Sequence, residues 1–377
     1  MNEERDAFLA SLPKNLSGKA VDVVNIGGRL VGKDQPCFII VEVGANHRGD
    51  IKNALRLIDF AAETGADCVK FQHIKAAGIA ADTPVNINWK GKSGFSTFAE
   101  FYKPSEMPYE WTEELMKHAK EKGIMFLSTP FDKESVDLLD SLGVPAFKVA
   151  SYEMIDDILL RYIAKKGKPI ILSTGMAYLE EVAHAIRVIN EEGNYDIMLT
   201  HCTSMYPPKG FEDLNLKAIS TLREAFKLPV GYSDHSNPKS MVGPIAAVAL
   251  GACIFEKHFT DEREGGSHDD ANSVQPEEFK RLVTEIRNTE KAMSRDGIKQ
   301  PISRETHELF NDEIIDIWAR RSIYAAKDIA EGEVITEDCL VTLRPWGGIE
   351  PKHHHLVVGR VAKKAVKARA PITWDDL

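Results

Sequence analysis

The segment Cys253-Ile254-Phe255-Glu256-Lys257-His258-Phe259 is apolar enough for a buried strand, yet it carries a glutamate and a histidine two residues apart. Alternate residues of a strand point to one side, so Glu256 and His258 share a face. A second histidine, His235, closes the preceding apolar run in Gly231-Tyr232-Ser233-Asp234-His235-Ser236. Two imidazoles at the ends of neighbouring strands, with carboxylates nearby, are the donor set of a divalent-metal site, and a metal held this way keeps positions open for a substrate oxygen. Lys70 and Lys148 lie inside apolar runs, between Val69 and Phe71 and between Phe147 and Val149. That setting argues against surface lysines with their stems laid along the protein. Unpaired buried charge is costly, so the two cations imply an anionic ligand, phosphate or carboxylate. The run His353-His354-His355 has the composition of a metal cluster but no carboxylate pattern beside it, and reads as a solvated loop.

The elements that must position these groups repeat along the chain. Eight short apolar runs, Cys37–Val43, Cys68–Phe71, Met125–Ser128, Ala146–Ala150, Ile170–Ser173, Ile197–Thr200, Pro229–Tyr232 and Cys253–Phe259, alternate with helix-length amphipathic stretches such as Ile51–Thr64, Lys133–Leu142, Leu179–Glu192 and Pro276–Met293. Strand–helix alternation implies a parallel sheet, and eight such units between residues 37 and 293 match a closed (β/α)8 TIM barrel of the α/β class. A doubly wound sheet is the alternative, but no glycine-rich dinucleotide fingerprint follows the first run. Residues 1–36 read as a tail and a hairpin, Ala20–Ile26 and Arg29–Val31 around Gly27-Gly28, that plugs the barrel floor. Residues 294–319 read as a polar linker, and 320–377 as a small β-rich domain without a long helix. The stretch Ala76–Pro108 is long for a connection within a compact domain, which marks it as functional or mobile.

In such a barrel, chemistry gathers at the C-terminal ends of the strands. The polar residues fall there: Glu42; Lys70 and Gln72; Ser128-Thr129-Pro130; Lys148 followed by Ser151-Tyr152-Glu153; Ser173-Thr174-Gly175; His201-Cys202-Thr203-Ser204; and Ser233-Asp234-His235.

The net charge of −10 argues against a general nucleic-acid binder. No apolar run is long enough to span a membrane, and the N-terminus lacks the apolar core of a secretion signal, so a cytoplasmic protein is expected. The five cysteines are scattered, without a CxxC pair, and read as buried small hydrophobes in a reducing compartment.

Several ordered segments resemble the sialic acid (nonulosonic acid) synthases, the family of N-acetylneuraminate, legionaminate and pseudaminate synthases. They are Val41-Glu42-Val43-Gly44-Ala45-Asn46-His47, Val69-Lys70-Phe71-Gln72, Ser128-Thr129-Pro130-Phe131, Phe147-Lys148-Val149-Ala150-Ser151-Tyr152-Glu153, Leu172-Ser173-Thr174-Gly175-Met176, Ser233-Asp234-His235 and Glu256-Lys257-His258-Phe259-Thr260. The tail, from Lys327-Asp328-Ile329 through Leu343-Arg344-Pro345 to Val358-Gly359, resembles the antifreeze-like (SAF) domain of the same proteins, and the wording at Ala150–Glu153 and Trp374-Asp375-Asp376 is most similar to the spore-coat polysaccharide synthase E branch.

The resemblance implies a metal-dependent condensation of phosphoenolpyruvate with an N-acylated hexosamine, N-acetylmannosamine or a diacetamido-trideoxyhexose, to a nine-carbon 2-keto acid and phosphate. On that reading His235 and His258 hold Mn2+ or Mg2+ with Asp269 nearby. Lys70 and Lys148 bind phosphoenolpyruvate, helped by Gln72, Thr129, Ser151 and Ser173. Glu42 and Glu153 hold and deprotonate sugar hydroxyls or water, and Ser204, Tyr206 and Ser233 line the site. Arg344 reaches from the antifreeze-like domain of one subunit into the barrel of another, which implies a domain-swapped homodimer. The sequence departs from the family wording around Lys92 and at Gly265-Gly266-Ser267-His268-Asp269-Asp270, where the sugar binds. Two other readings stay open: a Schiff-base aldolase using Lys70 or Lys148, and a non-catalytic carbohydrate-binding protein.

Overall fold

A computed structural model describes residues 21–84, 96–293 and 320–377. The expectations for the N-terminal tail, for Lys92 and for the linker at 294–319 fall outside the described residues. The chain divides into two compact units, Met1–Ser294 and Arg295–Leu377.

The first unit begins with an antiparallel hairpin, β1 (Val23–Ile26) and β2 (Arg29–Gly32), turned by Gly27 and Gly28, both in the left-handed region. The eight expected strands follow as β3 (Phe38–Gly44), β4 (Cys68–His73), β5 (Met125–Pro130), β6 (Phe147–Val149), β7 (Ile170–Ser173), β8 (Ile197–Cys202), β9 (Val230–Asp234) and β10 (Ile254–His258). They form one 8-stranded sheet in the order β5-β4-β3-β10-β9-β8-β7-β6, with every ladder parallel. β3 pairs with β10, and β5 and β6 pack side by side without a ladder between them, so the barrel is nearly closed. Five strands outrun their apolar segments: β3 by one residue to Gly44, β4 to His73 opposite Pro130, β5 to Pro130, β8 to Cys202 and β9 to Asp234. Backbone pairing is indifferent to side-chain polarity, so hydropathy alone stops a strand where its polar rim begins.

The helices sit where amphipathic spacing placed them: Ile51–Glu63, Lys133–Ser141, Leu179–Glu191 and Pro276–Met293. Asp50 caps the first through the amide of Lys52, and Asp132 forms a capping box with Ser135 on the second. Their apolar faces and the outward-facing strand residues, such as Val41, Val69, Phe147 and Leu172, make the larger core.

Inside the barrel, side chains of one parity stack in layers. The lower layer is apolar: Phe38, Ile40, Leu127, Ile171, Met198 and Ile254 pack with Val24, Ile26 and Val31 of the hairpin, which therefore does plug the floor. Two residues further along the same faces stand Glu42, Lys70, Thr129, Lys148, Ser173 and Glu256, all buried. Gly231 takes an inward place where a Cβ would meet backbone and side chain of Ile254 at 2.5 to 2.9 Å, so the strand has room only for glycine there.

The second unit has its own small core, built around Ile323, Ile329, Ile335, Cys339, Val357 and Ile372. β11 (Ser322–Ala325) pairs antiparallel with β12 (Leu340–Leu343), and the remainder is turns, bridges and helices of at most four residues among the described residues. All five cysteines are buried and free, and no described helix is long and apolar enough to cross a membrane.

Candidate active site

The polar layer is a chain of alternating charges. Lys70 Nζ lies 2.6 Å from Glu42 Oε2 and 3.6 Å from Glu256 Oε1, and donates to Thr129 Oγ1 at 3.2 Å. Lys148 Nζ lies 3.8 Å from the same Glu256 oxygen and donates to Ser173 Oγ at 2.7 Å. Gln72 Nε2 donates to Glu42 Oε1 at 2.6 Å, and Ser233 Oγ to Glu256 Oε1 at 3.3 Å. The premise that the lysines are unpaired is thus corrected: two carboxylates compensate them, because burying a bare ammonium is costlier than burying a pair. An anion entering here would compete with carboxylates for ammonium groups already in place.

The environment separates these carboxyl groups. Burial alone would raise Glu256, but Lys148, Lys70 and the two histidines outweigh it and hold it down at about 2. Burial pushes Glu42 up to about 7 against the pull of Lys70, with Glu256 adding to the rise. Burial lowers Lys70, but Glu256 and Glu42 reverse the sign and keep it charged, whereas burial wins at Lys148, which is lowered. Glu153, on the turn after β6, is raised to about 7 by burial, with Lys148 opposing. Its Oε2 is buried without a hydrogen-bond partner. Carboxyl groups held apart in this way can take opposite proton-transfer roles at neutral pH.

The imidazoles of His235 and His258 converge, with ring centroids 5.3 Å apart. His235 Nδ1 donates to the carbonyl of Thr203 at 3.0 Å, which in the neutral ring leaves Nε2 as the nitrogen able to ligate. His258 Nδ1 is buried without a hydrogen-bond partner, and Asp269 Oδ2 lies 3.7 Å from it. Burial lowers His258 to about 4, so the ring is neutral and able to ligate; at His235 burial also lowers, but Cys202, Thr203 and Asp234 outweigh it and the group is raised. Among the described residues no set of three His, Cys, Asp or Glu side chains already stands as a metal cluster. Two converging imidazoles, one with an orphaned nitrogen beside a carboxylate, are nevertheless a donor set that fits a divalent cation with open positions.

These groups face one cavity of about 510 Å3. It is lined by Glu42, Lys70, Gln72, Thr129, Lys148, Ser151, Glu153, Ser173, Tyr206, Ser233, His235, His258 and Asp269, all expected from sequence. Ser204 does not line it; that residue lines an adjoining cavity of about 690 Å3 with Met176, Tyr178 and Lys217. Arg344 lies in the second unit, exposed just after β12. Sequence reasoning missed the wall supplied by the insertion, where Phe98, Phe101, Tyr102 and Ser105 line the cavity and His268 stacks on Phe101 at 4.6 Å. It also left Glu256 without a role, although its alternation with His258 was the available signal.

The fold and site together are those of a barrel enzyme, a (β/α)8 barrel with buried ammonium groups, paired imidazoles and two carboxyls raised to about 7 at its C-terminal mouth. Residues 57–298 match the NeuB family and residues 320–377 the SAF domain. The chain belongs to the NeuB family. It is 43% identical to the N,N'-diacetyllegionaminic acid synthase of Campylobacter jejuni over 88% of this chain and 97% of that protein. The crystal structure of the spore coat polysaccharide biosynthesis protein SpsE of Bacillus subtilis matches with a TM-score of 0.64 at 37% identity, over 94% of this chain and 98% of that one. The N-acetylneuraminic acid synthetase of Leptospira borgpetersenii, solved with citrate, matches with a TM-score of 0.66 at 33% identity, over 78% and 97% of the two chains. Identity therefore does not single out the spore-coat branch.

Proposed function

We propose that the protein is a cytoplasmic nonulosonic acid synthase that condenses phosphoenolpyruvate with an N-acylated hexosamine. The observation that carries this reading is the layer in which Lys70 and Lys148 flank Glu256 directly beside the His235–His258 pair. Lys70 and Lys148 bind the phosphate and carboxylate of phosphoenolpyruvate, with Thr129, Ser151 and Ser173 as hydrogen-bond partners and Gln72 orienting Glu42. The open chain of the hexosamine occupies the outer cavity, near Tyr206, Ser233, Glu153 and Asp269. C3 of the enol forms a bond to the aldehyde carbon, whose oxygen takes up a proton. Water adds at C2 and gives its proton to a carboxylate, Glu42 or Glu153. The bond from C2 to the phosphate oxygen then breaks as the new C2 hydroxyl passes its proton to the departing phosphate, leaving a 2-keto acid and inorganic phosphate. Mn2+ or Mg2+ held by His235 and His258, with Asp269, would polarise the aldehyde oxygen when bound.

The diacetylated acid named for the Campylobacter relative and the N-acetylated acid named for the Leptospira relative bracket the product class, and with it the acylation of the acceptor. Arg344 is assigned to the acylamino group of the acceptor in the barrel of a partner subunit, in a domain-swapped homodimer. The test is incubation of phosphoenolpyruvate with N-acetylmannosamine and with a diacetamido-trideoxyhexose, product being read by mass spectrometry. A nine-carbon 2-keto acid from either supports the reading, and none from both overturns it.

One observation favours a second reading. Burial lowers the pKa of Lys148, as it does for amines that form Schiff bases. An aldolase of that kind would be inactivated by borohydride in the presence of substrate and would ignore EDTA; the synthase would show the reverse.

A further inference from the structure

A buried ion pair lies on the opposite side of the two strands that lead into the histidines. Lys257 and Asp234 are partners in the β10–β9 ladder, one residue before His258 and His235 respectively. Because side chains alternate, this pair points out of the barrel while the histidines point in. Both are almost completely buried, and Lys257 Nζ donates to Asp234 Oδ2 at 2.5 Å.

The other contacts of this pair bracket His235. Asp234 Oδ1 accepts from the backbone N–H of Ser236 at 2.9 Å and from Tyr232 Oη at 3.0 Å, and Asp234 Oδ2 accepts from Ser236 Oγ at 3.0 Å. Lys257 Nζ also donates to the carbonyl of Ser236 at 3.1 Å. The residues before and after His235 are therefore both bonded to Lys257, the residue that precedes His258. A change in the relative height of β9 and β10 has to break several of these bonds at once.

We propose that Asp234 and Lys257, with Ser236, are positioning residues that set the spacing of His235 and His258 as a divalent-metal pair. The inference rests on the metal reading given above. Partners outside the ligand set orient the ligands of metal sites, and losing one lowers metal affinity by about 10- to 100-fold. A buried pair of this kind could instead serve stability alone, and an apolar replacement would then be tolerated without consequence for the site.

The test is Mn2+ titration of the full-length protein, followed by electron paramagnetic resonance of the free ion, so no turnover is needed. The variants are Ser236→Ala, which removes one hydroxyl, and Asp234→Asn/Lys257→Met, which leaves no unpaired charge if Asp234→Asn alone fails to fold. The control is Arg287→Met, which breaks the 2.9 Å pair with Asp67 at the other end of the barrel. The expected result is affinity about 10- to 100-fold weaker in the double variant, a smaller loss in Ser236→Ala, and none in Arg287→Met. Wild-type affinity in the folded double variant overturns the inference, as does an equal loss in Arg287→Met, which would mean general loosening. Failure of the wild type to bind Mn2+ would overturn the metal reading itself, and the inference with it.

Discussion

Lys70 and Lys148 share one carboxylate oxygen: Glu256 Oε1 lies 3.6 Å from the first ammonium and 3.8 Å from the second. Among the described residues Glu256 is the one carboxylate paired with Lys148 and the second, after Glu42, paired with Lys70, so removing its charge leaves buried ammonium undercompensated. Glu256→Gln is isosteric and keeps a hydrogen-bond acceptor for Ser233. It is expected to cost about 3 kcal/mol of unfolding free energy, measured by urea denaturation at pH 7. Unchanged stability would mean that Glu256 does not compensate the lysines.

The raised carboxyl at Glu153 gives a pH signature of definite sign. Its folded pKa, about 7, lies above the ordinary glutamate value of 4.5, so the folded state favours the protonated form. Its contribution to stability is complete below about pH 4.5 and is lost as the pH rises through 7. Glu153→Gln should therefore be more stable than the wild type at pH 8, by about 3 kcal/mol, and the gap should close by pH 4.5. Because Glu42 is common to both proteins, the difference isolates Glu153. A gap independent of pH would contradict the assignment.

Gly175 marks a close approach in the substrate layer. A Cβ there would lie 2.3 Å from Ser204 Oγ and 2.7 Å from Ser151 Oγ, the hydroxyl that accepts the amide of Gly175. The backbone conformation is not of the left-handed kind, and both clashing atoms are ends of short side chains, so Gly175→Ala should fold. Displacement of Ser151 by a few tenths of an ångström to an ångström should lower kcat/KM for phosphoenolpyruvate by about 10- to 100-fold. Wild-type kinetics in this variant would remove Ser151 from the binding site.

The shared site proposed for a swapped dimer predicts complementation. Arg344→Ala and Lys148→Ala should each be inactive alone. Mixed and refolded together, they form hybrid dimers in which one barrel with Lys148 meets the partner's intact arginine. Recovered activity in the mixture supports the swap, and none argues that each subunit completes its own site.

Much of this was legible in the sequence because the barrel repeats one rule, an apolar run that turns polar at its end. Ile170–Ser173 and Pro276–Met293 match the expected bounds residue for residue. Lys70 and Lys148 stood out because charge inside an apolar run needs an explanation. What stayed hidden depends on proximity between distant segments. Nothing in the spacing of Glu42, Lys70, Lys148 and Glu256 says that they form one alternating chain. Phe101 and His268 are 167 positions apart and become neighbours only when the insertion folds over the mouth. Ser204 faces the neighbouring cavity for a local reason: it sits past the end of β8, where the chain no longer alternates between inside and outside, so strand parity carries no information about its direction.

The proposed condensation expels phosphate from phosphoenolpyruvate by cleavage at carbon. The most direct measurement is phosphate release in 18O-labelled water with Mn2+, followed by 31P NMR, with and without an N-acylated hexosamine. Phosphate is expected only when an acceptor is present, in step with its consumption and free of solvent label. Phosphate bearing the label, release without an acceptor, or no release with any acceptor and divalent cation would contradict it.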